Sequence, residues 1–116
     1  MLQLNLCDDA KRLAEQEQKK LPIMLSERVQ LVSFTANMNV LSQGIKLLYD
    51  RTFYEKAIVQ QGRSIDEMKQ QMFENSRHIA CTIETTKAFI DLGGHMRFLY
   101  EFSNGDPLFE FYVSVC

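Results

Sequence analysis

The spacing of apolar and polar positions changes several times along the chain, and each change marks an element. From Asp8 or Asp9, both good N-cap types, to Lys20 the sequence is rich in Ala, Leu, Glu, Gln and Lys, which favour helix. Ala10, Leu13, Ala14 and Glu17 leave a thin apolar stripe, which predicts a weakly amphipathic and loosely docked N-terminal helix within residues 1–20. Lys19-Lys20 suit its C-terminus, and Pro22 stops it.

Leu25 to Tyr49 supports two readings. As a helix, Leu31, Phe34, Met38, Leu41, Ile45 and Leu48 fall on one side, but Val29, Val32, Ala36 and Val40 then occupy the other. As strands, Val32, Phe34, Ala36, Met38 and Val40 alternate with Ser33, Thr35, Asn37 and Asn39. The strand reading leaves no apolar side chain misplaced and predicts a hairpin over about 29–48. Asn37-Met38-Asn39 is its expected turn, since Asn tolerates a positive φ.

Thr52 to Gln61 reads as helix with Ala57 and Ile58 inward, interrupted at Gly62-Arg63. Ser64-Ile65-Asp66-Glu67 is a capping box that opens a second helix with Met68, Met72 and Ile79 on one face, ending near Ala80 and Cys81. A short helix from Thr85 or Thr86 to Leu92 stops at Gly93-Gly94. Met96, Phe98, Tyr100 and Phe102 then alternate with Arg97, Leu99 and Glu101, and Phe109, Phe111, Val113 and Val115 alternate after Asn104-Gly105. This is a second hairpin, over about 95–115, with an aromatic face. The expected fold is α+β: an antiparallel sheet of about four strands packed against two or three helices, in one domain spanning 1–116.

The 116 residues carry 13 basic and 15 acidic side chains, a balance that argues against a duplex-DNA binder. No apolar run is long enough for a membrane span. Met1 to Asp9 alternates and lacks a basic leader region, so the chain reads as cytoplasmic as written, or as periplasmic or secreted if a leader was removed. His78 and His95 have no partner at metal-ligand spacing, and no phosphate-loop glycine pattern is present. No metal, cofactor or catalytic residue is therefore assigned. His78 and Cys81 lie one helical turn apart, but no third group orients them.

Cys81, Ala88-Phe89-Ile90-Asp91-Leu92-Gly93-Gly94, Phe98-Leu99-Tyr100-Glu101-Phe102, Asn104-Gly105, Phe111-Tyr112-Val113 and Cys116, preceded by Leu21-Pro22-Ile23-Met24-Leu25-Ser26, form a recognisable order. The chain resembles a group of small uncharacterised bacterial proteins, many of them exported, and orphan proteins of this sort also occur as mobile gene-cassette products. The resemblance implies strands over 29–48 and a Cys81–Cys116 disulfide in exported members. Cys7 departs from the pattern as an additional cysteine.

Two functions follow from these features. The first is a small non-enzymatic binding or regulatory module acting through protein–protein contact, as a homodimer paired through an exposed hairpin edge. Its expected surface comprises Leu99, Leu108 and Tyr112, opposite the main aromatic row, with Met68 and Met72 as adaptable apolar contacts. The alternative is a small-ligand binder or enzyme with a pocket between sheet and helices, lined by Tyr49, Tyr54, His95, Arg97 and Tyr100. The parity of Arg97 against Met96 and Phe98 points it away from such a pocket.

Overall fold

A computed structural model describes residues 5–116. Met1 to Leu4, part of the segment read above for targeting, lie outside the described residues. Helix α1 (Leu6–Gln18) leads to strands β1 (Ile23–Ser26), β2 (Val29–Asn37) and β3 (Val40–Leu47). Helices α2 (Arg51–Gln60), α3 (Ile65–Thr82) and α4 (Glu84–Asp91) follow, and strands β4 (His95–Glu101) and β5 (Pro107–Val113) complete the fold. The α+β class holds, but the sheet has five strands in the order β1-β2-β3-β4-β5. It is mixed rather than antiparallel, because β3 and β4 run parallel, from Val40 opposite His95 to Lys46 opposite Glu101. A parallel pair needs a crossover, which α2, α3 and α4 supply.

The N-terminal helix is firmly docked. Ala10 is fully buried, Leu13 and Ala14 are buried with it, and the Gln18 side chain accepts a hydrogen bond from the Phe34 amide at 3.1 Å. Ala at two inward positions lets the helix backbone approach the sheet closely, so a thin stripe is sufficient. Its cap is Asn5, not Asp8 or Asp9: the Asn5 side-chain Oδ1 accepts from the amides of Cys7 and Asp8. Asp8 and Asp9 sit in the first turn, where negative charge suits the helix dipole.

The β2–β3 hairpin occupies the expected region with two shifts of detail. A bulge between Leu31 and Ser33 sets Val32 out of register, so Leu31 and Phe34 are the buried positions. The two-residue turn then changes the parity, placing Leu41, Gln43 and Ile45 inward and Val40 outward. Met38, and neither asparagine, carries the positive φ, +56°, with its side chain in solvent.

Ser64 caps α3 by accepting from the Glu67 amide at 3.1 Å. Gly93, at φ +104°, ends α4, and Gly94 packs so tightly on the Phe89 ring that a Cβ there would overlap it. Met96, Phe98 and Tyr100 of β4 face inward with Phe102, against Phe111 and Val113 of β5. All four helices lie on this one face of the sheet: α1 rests on β2 and β3, α4 on β4, and α3 on β5. Cys81 in the last turn of α3 and Cys116 are joined by a disulfide, Cα–Cα 5.6 Å, and the Arg77 guanidinium donates to the Cys116 carbonyl. Cys7 is a free thiol.

Candidate functional groove

Between α1 and β1 on one side and α2, α3 and the start of α4 on the other, the helical layer leaves a groove whose floor is the sheet. The larger section of this groove has a volume of about 470 Å³ and is lined by Val29, Ile45, Tyr54, Met68, Met72 and Tyr100. A smaller section, about 150 Å³, lies between Leu13, Leu31, Phe34, Gln43, Ile83 and Phe98. Leu25, Ile45 and Ile79 belong to both, so the two sections are continuous. The rim is open to solvent and mixes apolar side chains, Leu25 48%, Ile79 40% and Ile83 48% exposed, with the polar Ser26, Asn75, His78 and Thr85.

The residues expected to line one pocket divide between two faces. Tyr49, Tyr54 and Tyr100 meet in the larger section with Met68, Met72 and His78. His95 and Arg97 do not reach it; strand alternation puts them on the opposite, helix-free face of the sheet. There the His95 Nδ1 lies 2.7 Å from the Ser114 hydroxyl, and Arg97 donates to Glu110 at 3.1 Å. That pairing holds the Glu110 carboxyl below the usual carboxylate range and raises Arg97. The expected interaction surface divides as well. Leu99 and Tyr112 lie on the helix-free face, Leu108 is the unpaired residue of a bulge in β5 and packs half-buried against the core, and Met68 and Met72 are walls of the groove.

Within the groove the polar groups serve packing. The Tyr100 hydroxyl and the fully buried Ser76 hydroxyl share a hydrogen bond, and Ser76 also donates to the Met72 carbonyl at 2.8 Å. Tyr49 and Tyr54 stack with ring centroids 6.2 Å apart, and Tyr54 donates to the Met72 sulfur. Burial raises the phenol pKa of all three tyrosines above 10.0; Arg28 partly offsets this at Tyr49 and the Ser76 hydrogen bond does so at Tyr100. Tyrosines held neutral are hydrogen-bonding walls, not bases. Among the described residues no cluster of His, Cys, Asp or Glu could hold a metal ion, and no helix is long and apolar enough to cross a membrane.

Leu25, Gln43 and Ile83 were not singled out from the sequence. Gln43 had a readable signal: it is the polar member of the inward series Leu41, Gln43, Ile45. Leu25 and Ile83 had none, since their exposure depends on the gap between helices.

No family model and no curated relative match the chain. Solved structures do. The pilotin EpsS of the Vibrio vulnificus type 2 secretion system superimposes with a TM-score of 0.73 at 16% identity, covering 94% of this chain and 87% of that one. A Pseudomonas aeruginosa protein described as secreted gives 0.73 at 10% identity, over 97% and 95% of the two chains. The type II secretion system pilotin AspS of Vibrio cholerae gives 0.70 at 14% identity, over 95% and 89%. The fold is similar to theirs throughout. At these identities the likeness is one of fold.

Proposed function

We propose that this chain is a non-enzymatic, pilotin-like binding protein of an exported compartment, and that its groove receives an amphipathic helix of a protein partner. The observation that carries this is the row of half-exposed Leu25, Ile79 and Ile83 along a continuous apolar trough. Such a trough suits the i, i+3, i+4, i+7 side chains of a helix. Two neighbours named as pilotins and a third described as secreted support the protein-binding role and export. The Cys81–Cys116 disulfide also supports an oxidising compartment.

Placing a photo-crosslinking amino acid at Ile79, and separately at Tyr112 on the helix-free face, tests the reading in the native host. One protein crosslinked from position 79, absent from position 112 and lost in Leu25→Glu, is the expected result. Crosslinking from position 112 alone would overturn it.

Self-association is a second reading, favoured by β5 being an edge strand with Tyr112 half exposed. Sedimentation of the purified chain at increasing concentration tests it, and a monomer at every concentration sinks it.

A further inference from the structure

We propose that Gln43 makes the groove selective for a helix whose apolar stripe is interrupted by one amide or hydroxyl side chain. This rests on the reading that the groove receives a partner helix, and it specifies the chemistry of that helix. Gln43 sits in the middle of β3, paired with Phe34 on one side and Phe98 on the other, and strand alternation turns it inward between Leu41 and Ile45. Only 8% of it is exposed, and its side chain lines the narrower section among Leu13, Leu31, Phe34, Ile79 and Phe98. Its amide takes no protein hydrogen-bond partner among the described residues, and it is not dry there, so in the free chain it meets the water of the groove. An amide offers two donors and an acceptor with two lone pairs, so covering it with hydrocarbon leaves all of them unmet.

That orphan group discriminates between occupants. An acyl chain would fill the trough but has nothing to give the amide. A helix backbone has nothing to give either, because its N–H and C=O groups are paired along the helix. A side chain must therefore answer Gln43, and it must come from the stripe that enters the trough. The volume limits how it arrives. At about 150 Å³, between α1 and the α3–α4 junction, the narrower section takes side chains and not a whole helix. Asn, Gln, Ser or Thr in that stripe reaches Gln43, with bulky apolar neighbours one turn away entering the wider section toward Tyr54 and Met72.

A displayed library of amphipathic helical peptides, randomised along the apolar stripe, tests this when selected against the wild-type chain, Gln43→Leu and Ile79→Glu. The wild type should enrich an amide or hydroxyl at one stripe position, and replacing it by Leu should weaken binding about tenfold. Gln43→Leu should reverse that preference, and Ile79→Glu should abolish binding of the same peptides. In the wild-type complex the Gln43 side-chain amide resonances should shift on adding a selected peptide. Thermal melting checks that Gln43→Leu is folded.

If wild type and Gln43→Leu enrich the same residues, or if the wild type prefers an unbroken Leu stripe, the role of Gln43 falls. The groove reading survives provided that Ile79→Glu still blocks binding. Peptides that bind Ile79→Glu unimpaired overturn the groove reading and the selectivity with it. Oleate binding in the trough with no peptide enriched also overturns both.

Discussion

Met38 shows how a single residue departs from the preference of its site. The first central position of a two-residue hairpin turn with positive φ favours glycine, yet a methionine stands there, at +56° and largely in solvent. Met38→Gly loses almost no packing and relieves the left-handed backbone, so it should raise the unfolding free energy in urea by up to about 1 kcal/mol, the remainder being lost to glycine's freedom in the unfolded chain. The turn itself was legible from the run of asparagines. Which residue bent was not, because the β2 bulge and hairpin register set it. The three groove tyrosines give a second test. Their folded pKa values lie above the ordinary 10.0, so above that pH the unfolded chain gives up protons that the folded chain keeps. Stability from this source is complete below about pH 10 and declines as pH rises through the raised folded values. Urea midpoints measured from pH 8 to pH 11 should fall at the upper end, and Tyr100→Phe should fall less steeply.

At the scale of elements, each helix was legible where its ends carry a chemical signature. Ser64 with Glu67 and Gly93 with Gly94 marked α3 and α4 to within a residue or two. The start of α1 was misplaced because Asn5, Asp8 and Asp9 are all capping types, and only geometry shows which one accepts the free amides. Asn5→Ala should cost about 1 kcal/mol in thermal or urea unfolding, the usual value of a lost cap. Strand β1 was missed because four residues are too few for alternation to register; it forms by pairing with β2. The disulfide fastens the tail beyond β5 to the last turn of α3 across a sequence separation of 35. Cys116→Ser should therefore destabilise the oxidised chain by about 3–4 kcal/mol in the loop-closure account. Under reducing conditions wild type and variant should unfold together.

At the scale of the molecule, the α+β class followed from alternating strands and periodic helices, whereas the order of the strands did not. Local patterns specify the β2–β3 and β4–β5 hairpins. They carry no instruction that β3 and β4 should lie side by side and parallel, since Ile45 and Tyr100 are apolar in any arrangement. The candidate site was illegible for the same reason. Tyr49, Tyr54 and Tyr100 belonged together, but the groove that Ile79 and the buried Gln43 line exists only once the helices have been set on the sheet. Arg97 was correctly suspect as a pocket residue from parity alone, and the sheet places it with Glu110 on the far side.

The parallel β3–β4 pairing also has a kinetic consequence. The hairpins on either side of it close over short stretches of chain, but bringing Val40 beside His95 requires the whole helical crossover to be spanned first. High contact order of this kind makes that seam the slow junction of the two halves. The trough floor straddles it, with Gln43 and Ile45 on one strand and Phe98 and Tyr100 on the other. No half-assembled chain contains the trough, so a helix bound there would grip only finished molecules and would act as a stitch across the last joint to form.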